Sequence, residues 1–198
     1  MPTLSGKMKL ALWGIIGLNL ALLAWVMVIS PKLERDRETA LGRGDYALAM
    51  TDGSPFTAKT LEGTPSAVFF GFTHCPDVCP TTLGDVSAWQ EDIADIGTLR
   101  VFFMTVDPER DSVDLLADYV GWAPGVVGVT GTPEEVGKAI KSFGIFARRV
   151  ESDDGDYTMD HTASVLLFDD AGRFVETIKY QEDHDLAVGK IRAVMTGS

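Results

Sequence analysis

The sequence predicts an α/β domain: a mixed sheet flanked by helices, with one inserted hairpin, behind a single N-terminal transmembrane helix. Three observations predict it. Residues 10–29 form an uncharged apolar run with one polar member, Asn19. Beyond it, short apolar runs alternate with stretches of helical periodicity, as in parallel strands joined by crossover helices. The last two strand-like runs are joined only by the turn Asp169-Asp170-Ala171-Gly172, which makes that pair antiparallel.

The N-terminal run comes first. At about 1.5 Å of rise per residue, its length crosses a hydrocarbon core of roughly 30 Å. Trp13 and Trp25 lie near its ends, where interfacial anchors sit. A cleaved signal peptide is the competing reading, but the run exceeds an h-region of roughly 7–15 residues and no A-x-A site follows. Lys7 and Lys9 precede the run while Lys32, Arg35 and Arg37 follow it, so the positive-inside rule does not orient it. The short leading tail favours export of the bulk of the chain. The expectation is a single-pass protein, in a bacterial inner membrane, with its globular part on the periplasmic side. The segments expected are a tail at 1–9, an anchor at 10–29, a linker at 30–42 and one domain at 43–198. A formal charge of −12 and a pI near 4.5 argue against a nucleic-acid partner.

Within the domain, residues 46–50 and 55–57 flank the turn Thr51-Asp52-Gly53-Ser54 and predict a small opening hairpin. Residues 67–72 read as a buried strand. Pro80 reads as the first position of the next helix, which places Cys79 at or near its N-cap. Residues 99–106 form a second buried strand, stopped by Asp107-Pro108-Glu109-Arg110-Asp111, and Ser112 caps a helix. A short strand at 126–129 precedes Thr132-Pro133-Glu134-Glu135, a cap followed by proline and two acids that opens a helix to about residue 143. Residues 146–150 and 157–159, around an acidic turn holding Asp153, Asp154 and Asp156, suggest a surface hairpin. His161 then stands directly before a strand at 164–168, its partner strand runs from 174 to 178, and 183–195 close the chain as an amphipathic helix. That order fits a thioredoxin-like fold with an element inserted before the last hairpin.

Cys75 and Cys79 are the only cysteines, spaced C-x3-C where the central strand hands over to a helix. A helix N-terminus favours thiolate over thiol, and thiolates bind soft metals and attack disulfides. A stabilising disulfide is the plainer alternative, though closing so short a loop constrains the unfolded chain little. A lone histidine is more often structural than a ligand. His161, however, directly precedes a strand whose start is expected beside the end of the cysteine-bearing one, where ligands gather in such sheets. Asp107, at the end of the neighbouring strand, either tunes this site or caps its own turn. His74 is expected to point away from Cys75, and His184 to lie on the surface. Two thiolates and one imidazole fall one ligand short of a closed zinc site and suit copper as Cu(I) or Cu(II).

The stretch F-x-F-T-H-C-P-D-V-C-P-T-T-L, then V-D-P-E-R-D and D-H-T-A-S, resembles the Sco (SenC-type) family of membrane-anchored copper proteins. The resemblance spans the exported domain and implies copper ligands at Cys75, Cys79 and His161. It also implies a role as a copper-binding metallochaperone in assembling the binuclear Cu-A site of cytochrome c oxidase. The partners would be the copper-site subunit of that oxidase and a copper donor chaperone. After the His161 strand this chain departs modestly from the family, at packing and turn positions. The alternative is a thiol–disulfide oxidoreductase in which Cys75 and Cys79 reduce the cysteines of the oxidase copper site. True thioredoxins carry C-x2-C and a cis-proline where this chain has His161. A peroxidase of peroxiredoxin type lacks support, because no P-x3-T-x2-C signature is present.

Overall fold

The computed structural model describes residues 6–29, 32, 40–152 and 155–197. The chain divides into two compact units, Met1–Thr39 and Ala40–Ser198. Most of the expected linker, and Asp153 and Asp154 of the acidic turn, lie outside the described residues.

In the first unit, α1 (Gly6–Ala24) continues into a π-helical turn, Trp25–Ile29. Leu12–Ile29 has a mean hydropathy of 2.2 and none of this window is buried. The one polar side chain in this stretch, Asn19, turns back on its own helix and donates to the Ile15 carbonyl at 2.8 Å. By length and composition this helix can cross a membrane.

The second unit is built on a seven-stranded sheet in the order β2-β1-β5-β4-β3-β8-β9. Its strands are β1 (Leu48–Met50), β2 (Pro55–Phe56), β3 (Ser66–Gly71), β4 (Arg100–Thr105), β5 (Val126–Thr130), β8 (Val165–Phe168) and β9 (Phe174–Ile178). All six residues of β3 are buried, as its unbroken apolar run predicts for a strand covered on both faces. β3, β4 and β5 are parallel; β8 pairs antiparallel with β3 and then with β9. This is the expected thioredoxin-like arrangement, with the opening hairpin adding β1 antiparallel to β5.

The crossovers are α2 (Val78–Asp92), α3 (Val113–Val120) and α4 (Pro133–Ser142), and α5 (His184–Thr196) ends the chain. Ser112, Thr132 and Asp183 cap α3, α4 and α5 by accepting from backbone amides three residues on. On one face of the sheet Phe69 meets Phe103, which in turn meets Tyr119 of α3. On the other, Phe143 at the end of α4 packs against Phe70 and Phe168. The alternation follows from the two-residue period of a strand.

Two expectations are corrected. Helix α2 begins at Val78, so Cys79 lies within the first turn and Pro80 comes one residue later. Asp77 holds the N-cap position without a side-chain cap bond. The second concerns His161, expected directly ahead of the 164–168 strand and outside any strand of its own. It ends β7 (Tyr157–His161), which pairs only with β6 (Ala147–Glu151) in a separate two-stranded sheet. The inserted hairpin is therefore longer than expected, and it carries the histidine.

Candidate metal centre

Three chain segments meet at the end of β3. The first is the loop from Phe72 to α2. The Cys75 N–H donates to the Phe72 carbonyl at 3.2 Å, which curls the loop back on its strand. The Cys79 N–H in turn donates to Cys75 Sγ at 3.4 Å. A sulfur thus takes the place of the missing side-chain cap and receives one of the free amides of the helix N-terminus. Cys79 is buried, whereas Cys75 is partly exposed. Gly71 makes room for this: a Cβ there would stand 2.8 Å from Cys79 Sγ and 2.7 Å from the Phe103 ring.

His161 reaches the same point from the hairpin. Its Nε2 lies 3.9 Å from Cys79 Sγ. Its Nδ1 lies 3.0 Å from the Thr162 carbonyl, which can only accept. That bond holds a proton on Nδ1 and turns Nε2 towards the sulfurs. The Phe72 ring meets the imidazole edge-to-face at 5.8 Å. The ligand atoms of Cys75, Cys79 and His161 all lie within 4.8 Å of one another.

The sulfurs are unequal. A hydrogen bond from the Cys79 thiol lowers the Cys75 pKa to about 4, against the opposing effect of burial. His161 and the amides of Cys79 and Asp77 add to the lowering. The same bond, with burial, pushes the Cys79 thiol up. Cys75 is the thiolate of the pair, and Cys79 keeps its proton until the charge beside it is neutralised.

The third segment follows β4. Asp107 is buried but meets neither cysteine nor His161 in any hydrogen bond. It accepts from Arg110 Nε at 2.5 Å and from the Tyr157 hydroxyl at 2.9 Å. The Tyr157 ring lies between two guanidinium groups, Arg110 at 3.7 Å and Arg149 at 3.6 Å. This cluster ties the loop to β7, the strand that ends in His161, so Asp107 bears on the site through the hairpin.

Asp111 meets the cysteine loop directly. It is fully buried and its carboxylate accepts from the hydroxyls of Thr73 and Thr105, both at 2.6 Å, and from the Thr73 N–H at 3.2 Å. It pins the start of the cysteine loop to the end of β4. The sequence signal is a pair of threonines beyond or at the ends of two apolar runs, whose hydroxyls share one acceptor. His74 is exposed, 3.0 Å from the Thr73 hydroxyl, and His184 pairs with Asp92 on the surface.

A family model described as SCO1/SenC matches residues 34–196. The mitochondrial SCO2 homolog of Danio rerio is 37% identical over 150 residues, covering 73% of this chain and 54% of its own. The human mitochondrial SCO1 homolog is 35% identical over 154 residues, covering 73% and 51%. The chain spans about half the length of such relatives. Among solved structures, Bradyrhizobium japonicum ScoI with copper bound aligns at a TM-score of 0.68 and 38% identity, covering 78% of this chain and 99% of that one. Yeast Sco1 with copper bound aligns at 0.72 and 32%, covering 80% and 90%.

Proposed function

Because this chain belongs to the SCO1/SenC family, we propose that it holds one copper ion with Cys75, Cys79 and His161 and passes it to a partner. The convergence of two sulfurs and an imidazole nitrogen within 4.8 Å carries this reading. The donor set fits the metal: soft thiolates suit Cu(I), and imidazole also accommodates Cu(II). It is one donor short of a closed tetrahedral site, so a partner's ligand can enter as the ion leaves. Copper-bound relatives at 38% and 32% identity support the choice of metal. The receiver, on the family resemblance, is the Cu-A subunit of cytochrome c oxidase, and the donor is another copper chaperone. The apolar helix Leu12–Ile29 would hold the chain to the membrane with the domain on its periplasmic side.

Titration of the reduced full chain with Cu(I) against a competing chelator tests this. The expected result is one copper per chain, lost in Cys75→Ser and Cys79→Ser and weakened in His161→Ala. Undiminished affinity in His161→Ala would remove the histidine from the ligand set.

The inequality of the sulfurs favours a second activity at the same place. The Cys75 thiolate attacks a partner's disulfide, forms a mixed disulfide and releases one partner thiolate. Cys79, once deprotonated, attacks the Cys75 sulfur and releases the other. The partner gains two electrons and the Cys75–Cys79 pair becomes the disulfide. Single-turnover reduction of a disulfide substrate by the metal-free dithiol checks it.

A further inference from the structure

We propose that the outer edge of β7 is a docking strand, on which an extended, cysteine-bearing segment of a partner pairs its main chain with Met159 and His161. Among the described residues, β7 has a strand neighbour on one side only. The Thr162 N–H donates to the Phe146 carbonyl at 3.0 Å and the Ser152 N–H to the Asp156 carbonyl at 2.8 Å. With the register of the hairpin, these bonds decide which residues face β6. Thr158 and Asp160 turn their main-chain groups inward; Tyr157, Met159 and His161 turn theirs outward. On that side the Tyr157 carbonyl accepts from Arg110 Nη1 at 3.0 Å and its N–H donates to Asp156 Oδ1 at 2.8 Å. Among the described residues, the main-chain groups of Met159 and His161 have no partner. An unpaired edge of this kind recognises extended main chain.

Space lies beside the Tyr157 end of the edge. A cavity of about 280 Å³ borders Tyr157 and Thr158 of the hairpin, His74 and Pro76 of the cysteine loop, and Arg110. His74 and Pro76 flank Cys75, the partly exposed sulfur, so a segment lying here brings its own sulfur to Cys75 and not to buried Cys79. The inference rests on Cys75 as the point of contact and holds for either metal transfer or thiol exchange.

The test uses the full chain in detergent micelles with Cys79→Ser, or Cys79→Ala where serine perturbs the fold. A short peptide carries one cysteine activated as its thionitrobenzoate disulfide. Cys75 thiolate attacks the peptide sulfur, the new S–S bond tethers the peptide, and thionitrobenzoate leaves. A control chain is capped at Cys75 with cysteamine, which has no peptide backbone. By NMR, amide exchange at Met159 or His161 is expected to be at least about tenfold slower with the peptide than with the cap. N-methylation of the peptide amide that faces β7 should remove that protection. Equal exchange in the two adducts overturns the proposal, as does protection confined to residues outside β7. Failure of the peptide to react where cysteamine does would also overturn it. Because no metal is involved, loss of the copper reading leaves this result standing.

Discussion

Cys79 Sγ lies 3.9 Å from Nε2 of His161, across 82 residues of sequence. One residue is fixed in the first turn of a buried helix and the other at the tip of a strand outside the main sheet. The geometry of the site is therefore set by whatever holds that hairpin and the cysteine loop in place, and each of those contacts can be tested.

Gly71 fixes the depth of Cys79. In Gly71→Ala the added methyl overlaps Cys79 Sγ and the Phe103 ring, and neither can retreat in a fully buried layer. A loss of about 1–3 kcal/mol is expected from overpacking, read by urea denaturation. Copper affinity should fall as the sulfur is displaced.

Asp111 fixes the loop. Asp111→Ala leaves the Thr73 and Thr105 hydroxyls and the Thr73 amide without their acceptor. Breaking such a buried network is expected to cost about 2–4 kcal/mol. Asp107→Ala should loosen the hairpin instead, and amide exchange of β6 and β7 separates the two outcomes.

That contrast marks how far the sequence was legible. The cysteines and His161 stand out because few residue types offer soft or imidazole donors. Asp107 and Asp111 share one short loop and one chemistry, and only the loop's winding separates them. The Asp111 N–H donates to the Asp107 carbonyl at 3.0 Å, a helical turn that swings Asp111 back over β4. No periodicity announces a single turn of this kind. The parallel first strands and the antiparallel last pair were readable because crossover helices and one tight hairpin leave little choice of topology. The end of β7 was not, since Asp160-His161-Thr162 can continue a hairpin or begin the next strand, and pairing with Ala147 decides it.

Tyr157 tests the link between hairpin and site. Tyr157→Phe keeps the ring between the two guanidinium groups but removes the bond to buried Asp107. A hydrogen bond to a charged group contributes about 1.5–3 kcal/mol. The expected outcome is faster amide exchange in β7 and weaker copper binding, with the Cys75 alkylation rate unchanged. Tyr157→Leu should cost more, because it also removes both cation–π contacts.

Cys75 should show its thiolate directly. With a pKa near 4, alkylation by iodoacetamide at Cys75 should be level from about pH 5 upward and fall below pH 4. An ordinary thiol would still be gaining rate near pH 8.5. The depressed value also makes a stability statement. The contribution of this thiolate to folding is complete above the unfolded thiol's pKa and is lost as pH falls towards 4. Cys79→Ala removes the donor that lowers Cys75 most, so its alkylation profile should move to higher pH.

The measurement that bears most directly on the central claim is X-ray absorption at the copper edge of the reduced, Cu(I)-loaded full chain. Two sulfurs and one nitrogen are expected around the copper, reduced to two sulfurs in His161→Ala. A wild-type spectrum with sulfur donors only, or one unchanged by the substitution, would contradict that claim.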